Sequence, residues 1–303
     1  MDLNALLREL FFPGILLAIP VAWFFLWIER KVSAVVQQRI GPPFMQPFWD
    51  FIKLLGKTPP TRRGLHGALM KLWPLLSTAS MIGAIGLLPV ATRTSGFAGD
   101  LILLIALLEI PAICLILAGF TSRSLFGQIG SSREAVMSVS YSVVFMAALI
   151  SLAASQHTFN LPDLANAPMT PMRWLAIIAI VICIPAKLHL NPFSMPKAEQ
   201  EIYAGPLTEY AGAELALWEL AHGLEWVAMS GLVASLVIPH TTSLGLDLAL
   251  YAAVSLALVI LLSSAAAATA RLTMGLSVRF FWRFGLAMAV LALASELLAR
   301  IKP

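Results

Sequence analysis

Charged residues are scarce in this sequence. They make up 12% of its 303 residues, whereas hydrophobic residues make up 59% and the mean hydropathy is +0.85. A soluble domain usually carries about 25% charged residues, so this chain lacks the polar surface that a soluble globule needs. The same composition excludes an intrinsically disordered chain. We therefore expect an all-α fold, in a polytopic membrane protein.

Cysteine is also scarce, and its placement excludes several kinds of site. The two cysteines, Cys114 and Cys183, lie in separate apolar runs, and the five histidines are scattered. This pattern predicts no disulfide framework, iron–sulfur site or structural zinc site. Walker loops, dinucleotide-binding glycine motifs and Gly-x-Ser-x-Gly are absent as well. We expect no metal, no cofactor and no catalytic residue on this chain.

Long apolar runs fill most of the sequence. Windows of about 20 apolar residues predict eight transmembrane helices. They lie at 11–28, 72–91, 101–120, 136–154, 173–190, 215–238, 247–270 and 284–299. We expect residues 1–303 to form a single membrane domain with two functional loops, a docking loop at 29–71 and an acidic coupling loop at 191–214.

The distribution of basic residues predicts the orientation. Most of the 20 lysine and arginine residues fall in the loops that follow spans one, three, five and seven. The positive-inside rule places these loops in the cytoplasm and both termini outside, in the cell inner (cytoplasmic) membrane. The net charge of +4 then reflects the basic cytoplasmic loops and does not indicate nucleic-acid binding. We therefore expect the lipid bilayer as a partner and no nucleic acid.

The loop at 29–71 contains one short amphipathic segment. Phe48, Phe51, Ile52 and Leu55 have the spacing of one helix face. Two interpretations stay open for this segment. It is either an interfacial helix that lies on the membrane or a docking platform for a soluble partner.

Several ionisable residues lie where lipid is expected. Glu109 is in the middle of span three, and Glu219, His222 and Glu225 follow one another at three-residue intervals along span six. Such residues cost at least about 2.5–3.5 kcal/mol in lipid, so we expect them to face protein or water. Further ionisable residues surround span six, namely Lys187, His189, Lys197, Glu199, Glu201, Glu209 and Glu214. They indicate either a proton relay or a network of buried and solvated ion pairs, and their spacing does not separate the two.

Residues 191–212 carry a family motif. They read NPFSMPKAEQEIYAGPLTEYAG and resemble the PFD-x-PEAE-x-E…G-x-x-TEYSG segment of the H-type membrane subunit family of respiratory complex I. That family includes the small membrane anchor subunit of energy-converting (group 4) [NiFe]-hydrogenases, of the formate hydrogenlyase and CO-linked types. Residues 38–55 resemble the family's R-x-GP…Q…D-x-IKLL loop, and residues 119–141 resemble its G…R-x-A…VSY stretch.

Three details resemble the hydrogenase branch more than quinone-reducing complex I. The connection at 43–45 is short, and the segments at 130–135 and 205–210 are similar to those of the hydrogenase-type sequences. The resemblance thus implies a non-catalytic anchor and coupling subunit of an ion-translocating, ferredoxin-dependent hydrogenase. The alternatives are the quinone-site H-type subunit of a NADH:quinone oxidoreductase and a stand-alone cation/proton transporter. An internal repeat typical of transporters is absent from the sequence.

The resemblance also implies partners. These are the hydrogenase large and small subunits, an iron–sulfur subunit and antiporter-like membrane subunits. The [NiFe] centre and the iron–sulfur clusters are expected on those partners. The transported ion is expected to be either H⁺ or Na⁺.

Candidate residues fall into two groups. Glu199, Glu201 and Glu209 match the carboxylates of the family motif. With the ionisable residues of the spans, the candidate proton path comprises Glu199, Glu201, Glu209, Glu214, Glu219, His222, Glu225, Glu109 and Lys187. The candidate residues for docking the soluble arm are Arg30, Arg39, Asp50, Lys53, Arg133 and Glu134.

The chain departs from the family pattern at several charged positions. Ser194 and Lys197 stand where the family has an aspartate and a glutamate, and Ser142 stands where a glutamate often follows Ser-Tyr. His222 stands where complex I has a glutamate in span six. We expect a rearranged charge chain, in which Glu109 and the span-six residues compensate or proton transfer takes another route.

Overall fold

In the residues that it describes, the computed structural model consists of helices joined by turns and loops. These residues are 15–58, 60, 62–89, 96–196, 199–238 and 244–301. The longer helices are α1 (Ile15–Val36), α3 (Gly64–Leu87), α4 (Asp100–Thr121), α5 (Leu125–Gln156), α7 (Pro171–Lys187), α9 (Ala213–Val237), α10 (Leu244–Ala268) and α12 (Leu286–Ile301). The shorter ones are α2 (Gln46–Leu55), α6 (Leu161–Ala165), α8 (Glu199–Ile202) and α11 (Met274–Phe280). A 3₁₀ turn lies at Gly205–Leu207, and a π-helical turn at Phe281–Gly285 joins α11 to α12.

Six stretches in the described part of the chain are long and apolar enough to cross a membrane. They are Gly64–Leu87, Asp100–Thr121, Leu125–Gln156, Ala213–Val237, Gly245–Ala268 and Met274–Ala294. The all-α, polytopic membrane fold is therefore confirmed. The other two predicted spans coincide with α1 and α7, but α1 contains Glu29, Arg30 and Lys31, and α7 has 17 residues. The total of eight spans stays a prediction.

Helix α9 lies at the centre of the bundle and packs against α1, α3 and α10. Small residues allow the helix backbones to approach closely. Close packing is important here because lipid supplies no hydrophobic force that would hold the helices together. A Cβ atom on Gly223 would lie 3.1 Å from Cβ of Ala22 in α1. The indole N–H of Trp226 also donates a hydrogen bond of 2.9 Å to the carboxylate of Glu29.

One end of the bundle gathers the loops that carry most of the candidate residues. We call it the loop end; α1, α4, α7 and α10 finish there, and α3, α5, α9 and α11 begin there. The backbone N–H of Leu272 donates to the carbonyl of Pro192, which joins the loop after α10 to the loop after α7. Helix α2 packs at this end against α1, through contacts of Phe48 and Phe51 with Trp23.

A buried arginine holds the opposite end. Arg173 is buried and donates to the carbonyl of Leu236, at 2.7 Å, and more weakly to that of Ala165, at 3.4 Å. Leu236 lies in the last turn of α9, where backbone carbonyls lack a partner within the helix. The guanidinium therefore satisfies this helix end and complements its dipole.

Candidate functional site

Two charged side chains meet in the interior of the bundle. Nζ of Lys187, at the end of α7, lies 2.8 Å from Oε1 of Glu109 in α4. The other carboxylate oxygen of Glu109 accepts a hydrogen bond of 2.7 Å from the Ser142 hydroxyl in α5. Only 1% of the Lys187 side chain is exposed. Because both oxygens of Glu109 have donors, this pair meets the condition under which a buried ion pair is tolerated.

Two aromatic rings complete the surroundings of Lys187. Its Nζ lies 5.2 Å from the ring centroids of both Tyr141 and Phe145. A cation at this distance is attracted by the negative face of a ring, most strongly where water is excluded. The ammonium group is thus held by one carboxylate and two rings.

A second carboxylate lies on the far side of Tyr141. The Tyr141 hydroxyl donates a hydrogen bond of 2.9 Å to Oε1 of Glu134, whose side chain is 0% exposed. The second oxygen of Glu134 lies 3.1 Å from Nε2 of His189, although the direction of the ring N–H is not that of a hydrogen bond. Tyr141 therefore joins Lys187 on one side to Glu134 and His189 on the other.

The end of α7 explains how His189 reaches this place. The N–H groups of His189 and Leu190 donate to the carbonyls of Ala186 and Pro185, the two bonds of a Schellman motif. His189 occupies its left-handed position, with φ of 54°, where glycine is the usual residue. The turn directs the imidazole inward, and its side chain is only 7% exposed.

We call these residues the buried cluster. It comprises Glu109, Glu134, Tyr141, Ser142, Lys187 and His189 and spans α4, α5 and the end of α7.

Helix α9 adds a second pair next to the cluster. Nδ1 of His222 lies 3.9 Å from Oε2 of Glu225, one helical turn away, and we call these residues the α9 pair. A cavity of about 30 Å³ separates α9 from the turn after α7, and we call it the inner cavity. Its lining includes His189, both residues of the α9 pair and Ser77 of α3. The inner cavity therefore borders both groups of ionisable residues.

Glu219 does not belong to this interior group. Its side chain is 42% exposed, and its carboxylate lies 3.8 Å from Arg30, which pairs more closely, at 2.9 Å, with Asp50. Each step of three residues turns a helix by about 60° backwards, so the residues of the predicted stripe drift around α9. Glu219 therefore faces a cavity of about 190 Å³ between α1, α2 and α9, which we call the outer cavity.

Arg62 ties the acidic loop to α9. Its guanidinium lies 2.6 Å from the carboxylate of Glu214, donates to the carbonyl of Glu209 and lies over the Tyr210 ring. Burial raises the pKa of the Tyr210 phenol well above its ordinary value, although Trp218 and Arg62 act in the opposite direction. The two glutamates therefore differ: Glu214 is buried in an ion pair, whereas the side chain of Glu209 is exposed.

The predicted proton-path residues divide between the interior and the surface. Glu109 and Lys187 belong to the buried cluster, and His222 and Glu225 line the inner cavity beside it. Glu201 is exposed at the loop end, where its carboxylate lies 2.6 Å from Arg133. The side chain of Glu199 and the whole of Lys197 lie outside the described residues.

The predicted docking residues lie at the loop end, with one exception. Arg30, Arg39 and Lys53 are exposed, while Asp50 accepts hydrogen bonds from Arg30 and Gln46. Arg133, the fifth of these residues, is partly exposed. Glu134 is the exception, because its buried carboxylate belongs to the cluster and presents no surface to a partner.

The candidate site residues from the sequence omit Tyr141, Ser142 and Arg62, and His189 is named among the ionisable residues around span six but not in the candidate proton path. Tyr141 ends the family block at 119–141, Ser142 follows it, and His189 is two residues from Lys187. Each of these residues has at least one partner on another helix, and the sequence alone does not specify that partner. In the described ranges, no group of three or more His, Cys, Asp or Glu side chains is arranged to hold a metal ion.

Comparisons with known proteins match nearly the whole chain. Residues 10–296 match the NADH dehydrogenase family. Hydrogenase-4 component C of Escherichia coli (strain K12) is 34% identical over an alignment of 236 residues, which covers 74% of this chain and 73% of that protein. A chain of the membrane-bound sulfane sulfur reductase, an archaeal respiratory membrane complex, superposes with a TM-score of 0.86 at 25% identity. That match covers 97% of this chain and 100% of the other.

Proposed function

Because the chain belongs to the NADH dehydrogenase family, we propose that it anchors and couples an energy-converting [NiFe]-hydrogenase complex in the membrane. It is a multi-pass membrane subunit of a complex I-like complex. The similarity to hydrogenase-4 component C supports the hydrogenase branch, and so does the short connection at 43–45. In this proposal the [NiFe] centre and the iron–sulfur clusters are on partner subunits, and catalysis takes place there.

The observation that carries a coupling role is the buried cluster. Charged side chains are costly in the membrane interior and, where they occur, mark ion pathways and proton relays. Here two carboxylates, one ammonium group and one imidazole lie within three helices of the bundle. A passive anchor needs none of them. The cluster therefore supports proton or sodium movement that is linked to redox chemistry in a ferredoxin-dependent soluble arm.

The proposed path leads from the loop end to the cluster. Its outer members are Glu199, Glu201 and Glu209 of the acidic loop, with Glu214 and Glu219 at the beginning of α9. Its inner members are the α9 pair, His189, Glu134, Lys187 and Glu109. Arg62 holds the acidic loop against α9. A movement of that loop would therefore change the contacts of Glu214 at the beginning of the path.

We propose the loop end as the docking surface for the soluble arm. Arg30, Arg39, Asp50, Lys53 and Arg133 lie there, exposed or partly exposed. This surface would receive the hydrogenase large and small subunits and an iron–sulfur subunit. The antiporter-like subunits would bind within the membrane. The loop end would face the cytoplasm, with both chain termini on the outer side of the cell inner membrane.

The quinone-site function remains the second candidate, since the outer cavity opens between α1, α2 and α9. Its volume of about 190 Å³ is small, because sites for drug-sized ligands usually enclose roughly 300–1,000 Å³. The cavity is therefore weaker support for quinone binding than the cluster is for ion coupling.

Purification of the intact complex through a tag on this chain tests the assignment. In mild detergent we expect hydrogenase subunits to co-purify with nickel and iron. Iron and flavin with bound quinone, but no nickel, would transfer the chain to NADH:quinone oxidoreductase. A lone chain that transports cations in liposomes would support the transporter alternative instead.

A further inference from the structure

We propose that the inner cavity holds ordered water, and that this water connects the α9 pair to His189 of the buried cluster. The connecting role rests on the proposed function, whereas the water site itself does not. Three observations carry the inference: unpaired polar atoms, the size of the cavity and the chemistry of its lining.

Polar atoms around the inner cavity lack hydrogen-bond partners from the protein. Both imidazole nitrogens of His189 and the hydroxyl of Ser77 are buried and make no hydrogen bond within the protein, although Nε2 of His189 lies 3.1 Å from Glu134. Both residues line the cavity. Buried polar groups in native proteins almost always find a partner in the protein or in ordered water. Two such residues on one small cavity indicate that a polar guest satisfies them.

A third lining residue is Trp218, whose indole N–H is also buried without a hydrogen-bond acceptor. The Tyr210 phenol lies close enough to interact with this N–H, but its oxygen is outside hydrogen-bond geometry. The Tyr210 hydroxyl itself is directed to the sulfur of Met70, at 3.5 Å. Trp218 therefore adds a donor to the cavity wall, although Ser77 and His189 are the stronger observations.

The size of the inner cavity fits water. Its volume is about 30 Å³. A cavity needs about 10–15 Å³ of this measure for each water molecule, so there is room for one or two. A buried water typically makes about three hydrogen bonds, and the lining supplies that number of polar groups.

The lining chemistry favours water over a metal cation. Hard cations such as Na⁺ and Ca²⁺ are bound by several oxygen ligands, whereas the side chains of this wall offer two kinds of oxygen, the Ser77 hydroxyl and the Glu225 carboxylate, beside two imidazoles and an indole N–H. A donor such as the indole N–H repels a cation. Water both donates and accepts, so it can satisfy the hydroxyl, the imidazoles and the indole together.

The position of the cavity gives the water a role. His189 lies 3.1 Å from Glu134 on one side and lines the cavity on the other. His222 and Glu225 line it from α9. Water at this place would connect Glu225 across the gap to His189, and a small rotation of the His189 ring would complete a hydrogen bond to Glu134. A proton can move along such a route without a movement of the helices.

A density map of the intact complex tests the site directly. The map must resolve ordered waters elsewhere in the chain. We expect density within hydrogen-bond distance of Ser77 Oγ and of the His189 imidazole. An empty cavity in such a map would overturn the proposal, and so would density with the short ligand distances of a metal ion.

Two variants test whether the water matters for transport. Ala112→Val extends a lining side chain into the cavity and should displace the water. Ser77→Ala is milder, because it removes one partner of the water and keeps the volume of the wall nearly unchanged. Both should lower coupled ion transport, by about fivefold to tenfold, and leave hydrogen evolution from an artificial electron donor unchanged.

Ser80→Ala is the matched control. Its hydroxyl lies one turn further along α3 and already donates 2.8 Å to the carbonyl of Ser77 within the helix. It should alter neither the water density nor transport. If the water is lost in Ser77→Ala and transport stays normal, the connecting role is overturned. A failure of the hydrogenase assignment would be visible separately in the co-purifying subunits and metals, since the density test does not depend on them.

Discussion

The hydroxyl of Ser142 donates a hydrogen bond of 2.7 Å to Oε2 of Glu109. By the family resemblance, Ser142 stands where a glutamate often follows Ser-Tyr, and α5 has no carboxylate at this point. Glu109 on the neighbouring helix α4 supplies a carboxylate at this place, and that carboxylate pairs with Lys187. We propose that Glu109 compensates for the missing glutamate, since its carboxylate contacts the Ser142 side chain.

Exchange of these two residues tests the compensation. Glu109→Ala leaves the Lys187 ammonium buried without its carboxylate, and removal of one partner of a buried pair costs about 3–5 kcal/mol. We expect thermal unfolding of the purified complex at a clearly lower temperature. The double variant Glu109→Ala with Ser142→Glu should recover a large part of the loss. Compensation is disproved if Ser142→Glu gives no recovery or destabilises both backgrounds equally.

A substitution of Glu134 distinguishes a proton relay from a purely structural ion pair. Glu134→Gln keeps the shape of the side chain and an acceptor for the Tyr141 hydroxyl, but it no longer titrates. We expect the complex to assemble and coupled ion transport to fall at least about tenfold, since a positioned proton-transferring group typically contributes about 10²–10⁴-fold. Transport is measured in proteoliposomes against hydrogen evolution with an artificial donor. Normal transport in this variant would remove Glu134 from the path.

The surface glutamates allow a comparison with the interior. Glu201→Gln breaks an exposed ion pair with Arg133, which is worth about 0–1 kcal/mol, so stability should barely change. We expect Glu201→Gln and Glu209→Gln to assemble normally and to lower coupled transport, because each removes a titrating site near the entrance. If both variants transport at the normal rate, the path does not begin at the acidic loop.

Arg62 should position the acidic loop through its geometry as well as its charge. Arg62→Lys keeps the positive charge, but a single ammonium group cannot reproduce the planar fork that contacts both Glu214 and the Glu209 carbonyl. We expect faster protease cleavage within 196–212 and weaker coupling. Arg63→Lys is the control, since Arg63 is the exposed neighbour on the same loop. Equal cleavage in the two variants would contradict the positioning role.

Asp50 tests the docking surface. It accepts hydrogen bonds from Arg30 and Gln46 and so orders the side chains of α1 and α2 at the loop end. We expect Asp50→Ala to release soluble subunits from washed membranes, as judged by co-purification. Asp163→Ala, at the opposite end of the bundle, should leave them bound. Unchanged co-purification with Asp50→Ala would count against docking at this surface.

Much of the fold could be predicted from composition and motifs. The scarcity of charge predicted a polytopic helical membrane protein, and the block at 191–212 led to the family that residues 10–296 match. The segment at 48–55 was recognisable by its apolar spacing and lies in α2. These features are local: an apolar run, a helix period or a motif is complete within a short piece of chain.

The partners within the site could not be predicted in the same way. Glu134 adjoins Arg133, yet Glu134 is buried beside Tyr141 and His189 while Arg133 lies at the surface beside Glu201. Adjacent residues on a helix point about 100° apart, so one turned inward leaves the other outward. Which of the two turns inward depends on how α5 is rotated against its neighbours.

The sequence by itself determined the class of protein, the family and the types of residue available for coupling. Hydrophobicity and motif spacing are properties of the linear chain, so they can be recognised without coordinates. The tertiary structure decided which charges meet: Glu109 with Lys187, Arg62 with Glu214, and His189 with Glu134. These pairs join residues that are between 55 and 152 positions apart. Only the crossing and rotation of packed helices bring such distant side chains within hydrogen-bond distance, because no local pattern encodes the partner.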